Sequence, residues 1–559
     1  MGPQAADVEM TNGVCHDALP AVVGPRGLID RGEYVRLLEQ ALASLGYLAS
    51  AQLLERESGI PMQPEHVARF RSHVMEGRWG AALALLPQLA PDPELELQAR
   101  FLILQHKYLE AIESGDKAGS LRCLRSELAP LRINAADLRR LAGCLLRQRD
   151  DAANPLLREE WRAFEGASRG ALMAALQQRL PPSLMVPERR LEALVEQALQ
   201  AQVARCPYHN AAKLRMSLFV DYQAGVDQLP TQPAQVLEAH SDEVWHIAFS
   251  HAGDRLASAS KDCSAAVWRL PPGAPAVLAF SLRGHERPIT FLAWSPDDSR
   301  LLTCAQKVKL WDTESGTCLH TFDAHQENSN VTACAWLPDG QAFLTGSDDK
   351  SMCQCDAGGG VTRRWKLTRI NDLALSADGS VLATVCQEKQ IKLARPRDPR
   401  EQVTVYESSP VTSIALSPDG RHLLANLSSH IIHLWALQPF LDRLAVQAED
   451  PSGPLPDVPR APTMEYHVEP GRQGRFVIRS CFGGSSAGFV ASGAEDCRVH
   501  IWNRDSPDAL AALEGHAGTV NAVAWNPTNP YMLASASDDK TVRIWFAPAA
   551  LRSPGEGLG

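Results

Sequence analysis

A repeat governs the second half of the chain. The segments LASASKDCSAAVW (256–268), VASGAEDCRVHIW (490–502) and LASASDDKTVRIW (533–545) share one plan: a strand, a tight turn ending in Asp, and a second strand ending in Trp. Trp268 and Trp311 are 43 residues apart, and so are Trp502 and Trp545. From about 235 to 548 short β-type runs alternate with Ser-Pro-Asp, Asp-Gly and Asp-Asp turns. A unit of this size cannot bury its apolar faces alone, so the period demands that several copies stack and share a core.

His240, His285, His325 and His516 each open a unit, two of them as Gly-His. With that, the pattern resembles a WD-repeat β-propeller. The resemblance implies a buried hydrogen-bond network of a loop histidine, a Ser or Thr on the second strand, the turn Asp and the Trp. Unit 1 carries it as His240, Ser258, Asp262 and Trp268, and unit 7 as His516, Ser535, Asp539 and Trp545. Unit 3 keeps His325, Thr345 and Asp349 but has Cys355 at the Trp position; unit 6 offers Ser492, Asp496 and Trp502 without a loop histidine. Unit 2 keeps His285 and Trp311-Asp312 with a shortened turn. Two weaker units, from Ile370 to Ala394 and from Val411 to Trp435, bring the count to seven. Trp435 and Trp502 are 67 residues apart, which leaves a Pro-rich insertion at about 438–470, expected as a loop between units 5 and 6.

A recurring His–Asp–Ser set invites comparison with a hydrolase triad. Recurrence at the repeat period is what a structural network demands, and no Gly-x-Ser-x-Gly elbow is present. Cys353-x-Cys355 and Cys206-x-x-His209 stand alone, without the second ligand pair of a zinc module. No Walker loop or strand–GxGxxG–helix unit appears. The reading is therefore no enzyme, no metal and no cofactor. The 559 residues carry a net charge of −10, which argues against a mainly electrostatic nucleic-acid binder. No apolar run reaches the roughly 18 residues of a membrane span, and the first residues lack the pattern of a secretory signal. Thirteen scattered cysteines suit a reducing compartment, so cytosol or nucleus is expected.

The first half is helical. Residues 1–26 read as a disordered leader. Asp30 caps a first helix, with Glu33 three residues on, and Tyr34, Leu37, Leu38, Ala41 and Leu45 form one apolar stripe. Gly46 ends it, and a second short helix carries Leu48, Ala51 and Leu54 up to Ser58-Gly59. Two such helices need a cover, and a second copy of the chain is the cheapest one. Further stripes follow at Val67, Phe70 and Val74, at Phe101–Ile112, at Leu121–Leu128, over about 135–180, and at Leu191, Leu194, Val195, Ala198 and Leu199.

Residues 30–60 resemble a LisH motif, with Leu37, Gly46-Tyr47, Ala51, Leu54, Glu57 and Ser58 at its characteristic places. Residues 65–125 resemble the CTLH module, most plainly over Phe101 to Glu110. With the propeller behind them, the order resembles the LisH–CTLH–WD-repeat subunit of the GID/CTLH ubiquitin ligase. The fold class expected is thus α plus all-β multidomain: a LisH/CTLH helical domain followed by a seven-bladed WD-repeat propeller. The division is leader 1–26, LisH 27–62, CTLH 63–125, connecting helices 126–222, propeller 235–548 and tail 549–559. The resemblance implies a non-catalytic scaffold. It would form a homodimer through Leu37, Leu38, Leu45, Tyr47, Leu48 and Leu54. Packing or partner contacts would fall to Phe101, Gln105, Tyr108 and Leu109. Its partners would be other LisH/CTLH-containing and RING-bearing subunits, with protein substrates or regulators on the propeller. Candidate residues on that face are Glu243, Trp245, Lys261, Asn330, Thr332, Asp348, Thr519, Asn521 and Asp538; Trp245 is either an exposed partner contact or a wedge between units. The alternative is a LisH–propeller scaffold in transcriptional corepression or signalling. A cullin-type receptor is disfavoured because Trp-Asp-x-Arg is missing.

Overall fold

The computed structural model describes residues 21–548 except 91, 132–137, 139–140, 143–168, 182–184, 212–215, 387–388, 397, 450–458 and 469–475. Most of the expected leader, the tail and, of the helices expected over about 135–180, the part up to 168 apart from 138, 141 and 142 lie outside the described residues. The chain divides into two compact units, Met1–Gln200 and Ala201–Gly559.

In the first unit the leader ends earlier than expected: Val22–Val23 pairs antiparallel with Ile29–Asp30. Helix α1 (Arg31–Ser44) follows, capped as its sequence dictates, the Asp30 carboxylate accepting from the Glu33 N–H at 2.9 Å. Gly46 at φ +91° turns the chain into α2 (Leu48–Ser58), which ends on left-handed Gly59. The hairpin is tied down by Gln40, whose amide donates to Val186 O and Pro187 O at 3.3 and 2.8 Å.

Helices α3 (Glu65–Met75), α4 (Trp79–Leu89), α5 (Pro93–Glu113) and α6 (Lys117–Cys123) build the bundle. Its core joins Val67, Phe70, Val74, Leu86 and Ile103 to Leu172, Met173 and Leu176 of α7 (Arg169–Arg179). The module expected to close near 125 therefore shares its core with a helix some fifty residues later. Arg169 pins that return: its guanidinium bonds Glu110 at 2.7 and 3.2 Å and Met75 O at 2.9 Å. The last helix, α8 (Arg190–Arg205), buries none of its side chains fully; Leu191, Leu194, Val195 and Leu199 are half-buried and Ala198 is exposed.

The second unit is a seven-bladed propeller of four-stranded antiparallel sheets. Blade inner strands are Val244–Phe249, Phe291–Trp294, Val331–Trp336, Ile370–Leu375, Val411–Leu416, Ser480–Gly483 and Val520–Trp525. Gln232–Leu237 pairs with Val542–Phe546, so the outermost strand of blade 7 comes from the start of the domain and closes the ring. The Pro-rich insertion is not between blades 5 and 6. Met464–His467 is the outer strand of blade 5, paired with Ile431–Ala436, so the insertion departs and returns inside that blade. It opens with α9 (Gln438–Glu449), and Phe440 packs edge-on to Trp435 at 6.1 Å.

The chain ahead of the closing strand is part of the propeller unit. Asn210, fully buried, donates to Gln228 O at 2.9 Å and Pro530 O at 2.7 Å, and its carbonyl accepts from Ser485 N–H. Asn503 adds a bond to Pro207 O. These contacts strap Pro207 and Asn210 across blades 6 and 7. No sequence periodicity marks them.

Candidate functional site

The buried networks fix the loops above them. In blade 1 His240 bonds Ser258 Oγ at 2.6 Å and Asp262 at 3.1 Å; in blade 7 His516 bonds Ser535 Oγ at 2.7 Å and Asp539 at 2.8 Å. Trp545 completes blade 7 by donating to Ser535 Oγ at 2.8 Å, while Trp268 lies edge-on to His240 at 6.2 Å. Blade 3 holds His325 between Thr345 and Asp349 at 2.9 and 3.2 Å, with Cys355 buried where the indole would sit. Blade 2 keeps half a network, His285 and Trp311 both on Thr303 at 2.7 and 2.8 Å.

Blades 5 and 6 invert the order. In blade 6 the histidine is present after all, on the third strand: His500 bonds Asp496 at 2.8 Å and stacks on Trp502. In blade 5 Glu407 takes the loop position, four residues before the inner strand. It accepts from Trp435 Nε1 at 2.6 Å and bonds His433 at 2.7 Å. Sequence reasoning missed Glu407, His433 and His500. The signal was present as His-x-Trp at 433–435 and 500–502, two residues before each blade's tryptophan and on the same strand.

The networks set protonation. Burial alone would raise the Asp262 carboxyl, but donors from Ser264 and Ser241 outweigh it and hold the group at about 2. Burial pushes His285 down to about 4, helped by Lys309. A histidine neutral in the fold and near 6.5 when unfolded binds its extra proton only in the unfolded chain between those values. Stability should therefore fall as pH drops from about 6.5 to about 4. Replacing His285 by Asn should remove up to one proton, about 1.4 kcal/mol per pH unit, from that slope in urea unfolding measured across the window. An unchanged slope would mean that the imidazole is not held neutral.

On the face above the networks five of the expected residues converge. Trp245 Nε1 donates to Glu243 at 2.9 Å, and Lys261 Nζ bonds the other Glu243 oxygen at 2.8 Å. Asn521 bridges Asp538 at 2.6 Å and Val244 O at 2.9 Å. Burial first, and then the charge of Glu243, raise the Asp538 carboxyl. Trp245 is half-buried with its N–H satisfied, and Thr519 holds the Asp538 N–H through its carbonyl. Asn330 and Asp348 form a separate pair on blade 3, at 2.9 Å, and Thr332 Oγ1 bonds Ile370 O at 3.0 Å between blades 3 and 4. The face thus offers an indole ring beside an acidic patch at the junction of blades 7 and 1.

The cysteine pairs have structural duties. Cys353 and Cys355 are buried, burial pushing the Cys355 thiol up to about 12. Cys206 Sγ accepts from Ala224 N–H, and His209 bonds Tyr222.

The helical unit presents the second candidate surface. Leu45, Tyr47, Leu48 and Leu53 are 66, 61, 62 and 56% exposed, and Tyr34, in the first turn of α1, is 38% exposed. The α1 stripe expected to need a cover is thus open at its two ends, Tyr34 and Leu45, and half-buried between them. Leu37, Leu38 and Leu54 are half-buried, and the fully buried positions of the hairpin are Val35, Glu39 and Ala51. Burial and then the like charge of Glu55 raise the Glu39 carboxyl. Phe101, Tyr108 and Leu109 instead lie inside the bundle with Leu104, Cys123 and Leu128, Tyr108 donating to Leu141 O at 2.6 Å; Gln105 is half-buried at the edge. Their geometry is that of packing rather than a docking surface.

Comparison with known proteins agrees with this division. Residues 20–64 match the WDR26 Lis-homology domain. Segments 231–269, 277–312, 316–356, 400–436 and 508–545 match the WD domain, G-beta repeat, leaving out the degenerate blade 4 and the inverted blade 6. The chain is 37% identical over 529 residues to the WD repeat-containing protein 26 homolog of Arabidopsis thaliana, covering 94% of this chain and 85% of that one. It is 35% identical over 528 residues to GID complex subunit 7 of Schizosaccharomyces pombe, covering 92% and 96%. The Drosophila melanogaster WD repeat-containing protein 26 homolog is 32% identical over 536 residues, covering 92% and 80%. With a Lis-homology hairpin, a helical bundle and a seven-bladed propeller in that order, and with identity sustained across them, the chain belongs to the family of WD repeat-containing protein 26 and GID complex subunit 7.

Proposed function

We propose that this chain is a non-catalytic scaffold subunit of a GID-type ubiquitin ligase assembly. It self-associates through the α1–α2 ridge and holds other helical and RING-bearing subunits through its helical unit. The upper propeller face meets substrates or regulators destined for proteasomal degradation. The observation that carries the reading is the open ridge of Leu45, Tyr47 and Leu48, an apolar surface of the kind that marks an association site. It stands in a chain whose fission-yeast relative is a GID complex subunit. The buried networks support a structural role for the histidines and aspartates, since their polar atoms are spent on one another. A cytosolic or nuclear site of action belongs to the same proposal, the described cysteines all being free thiols.

Tagged purification from the native cell with mass spectrometry tests it, comparing the unaltered chain with Tyr47→Asp. Co-purification of RING-bearing and CTLH-bearing proteins, lost or sharply reduced in the variant, is the expected result. Their absence from both samples, with propeller-bound partners retained, would turn the chain into a scaffold outside degradation.

A further inference from the structure

The central channel holds a polar cluster that neither the blade networks nor the upper face uses. Arg479, immediately before the inner strand of blade 6, reaches across to Asp372 of blade 4, Nη1 to Oδ2 at 2.9 Å. Asp372 is buried and its oxygens also accept from Leu373 N–H and Ile414 N–H. The guanidinium lies over the Phe291 ring of blade 2 at 4.7 Å, and His246 of blade 1 packs on the other partner of that contact, ring centroids 4.2 Å apart. Four blades thus meet in one layer.

Toward the Ser-Pro turns a cavity of about 610 Å³ opens, lined by His246, Phe291 and Arg479 and walled by Trp294, Trp336 and Trp525. That is the size and make-up of a small-molecule site, an apolar chamber with a few polar groups (roughly 300–1,000 Å³). Two features give it chemical direction. The Arg479 guanidinium has its one hydrogen bond among the described residues through Nη1, and the side chain lines the cavity, so its other N–H donors are left for a ligand there. His246 is 8% exposed and its Nδ1 is buried without a partner among the described residues. Burial, and then the Arg479 charge, hold its imidazole neutral.

We propose that the channel is a binding site for a small organic carboxylate with an apolar body, which enters between the Ser-Pro turns, sets its carboxylate on the free edge of Arg479 and His246, and rests its body on the indoles. A carboxylate is favoured over a neutral amide because a guanidinium edge offers two parallel, charge-assisted N–H donors. Asp372 occupies one edge and keeps the guanidinium fixed for the other.

The full-length chain should be titrated with 3-phenylpropionate and, as the neutral isostere, 3-phenylpropionamide, followed by ligand-observed NMR. The acid should bind at least about tenfold tighter than the amide. Arg479→Lys and His246→Leu should each weaken the acid several-fold and leave the amide unchanged. Arg479→Lys disturbs the Asp372 bridge, so the acid–amide comparison in the unaltered chain and the His246 variant decide the matter if it fails to fold. Equal affinity for acid and amide, no binding of the acid up to about 10 mM, or an unchanged acid affinity in His246→Leu would each overturn the proposal.

Discussion

Asp539→Ala should destabilise the propeller by about 3–5 kcal/mol, whereas Asp496→Ala in the neighbouring blade should cost only about 1–2. The difference comes from what each carboxylate holds. Asp539 accepts from His516 at 2.8 Å, Ala517 N–H at 3.0 Å, Thr541 N–H at 3.0 Å and Thr541 Oγ1 at 2.7 Å. Those donors, outweighing burial, hold its carboxyl well below the usual carboxylate range. His516 is nearly inaccessible, so removing Asp539 leaves a buried ring nitrogen with only the long contact of Thr541 Oγ1 at 3.4 Å and frees the turn. Blade 7 also carries the closing strand, paired directly with the strand of Trp545, so loosening it opens the ring. Among the described residues Asp496 accepts only from Arg498 N–H and His500, and Trp502 Nε1 is already buried without a partner. Urea unfolding of both variants followed by tryptophan fluorescence checks the ordering. Equal losses would mean that the blade network acts locally and that closure adds nothing.

The sequence made the propeller legible because each blade repeats one local solution: a polar network that must be satisfied once it is buried. His240, His325 and His516 could be assigned to their partners through the resemblance to WD repeats, because their units keep its spacing. Blades 5 and 6 were harder for the same physical reason. In these two blades a carboxylate and a ring nitrogen still meet, because strand pairing lets the histidine come from the third strand instead of the loop. Spacing alone therefore hid Glu407–His433 and Asp496–His500. Contacts between distant segments left no periodic trace at all. Met464–His467 joins blade 5 after an excursion of more than twenty residues, and Asn210 straps across blades 6 and 7 through two hydrogen bonds, with Ser485 N–H and Pro530 O. In the helical unit, apolar periodicity showed where faces lie but not which are covered. Phe101, Tyr108 and Leu109 went to the core and Leu45 and Leu48 to the surface, though all satisfy the same stripe rule.

That open surface makes the other large effect. In light scattering at micromolar concentration the unaltered chain should run as a dimer or larger, and Tyr47→Asp combined with Leu48→Ser should weaken self-association by at least about 100-fold, or about 2.7 kcal/mol. An apolar side chain buried at an interface contributes about 1.5–3 kcal/mol. In a two-fold contact each substitution acts twice, and two aspartates brought face to face add repulsion. Neither change touches the fold of the hairpin. Tyr47 and Leu48 are more than 60% exposed, the Asp30 cap and Gln40 anchor lie elsewhere, and the turn rests on Gly46. Far-ultraviolet circular dichroism and the thermal transition should accordingly remain as in the unaltered chain. Val35→Asp serves as the contrast: it buries a charge inside the hairpin, so it should lose helix and association together. Persistence of the dimer in the Tyr47/Leu48 variant, with the hairpin intact, would move self-association off this ridge and onto another part of the chain.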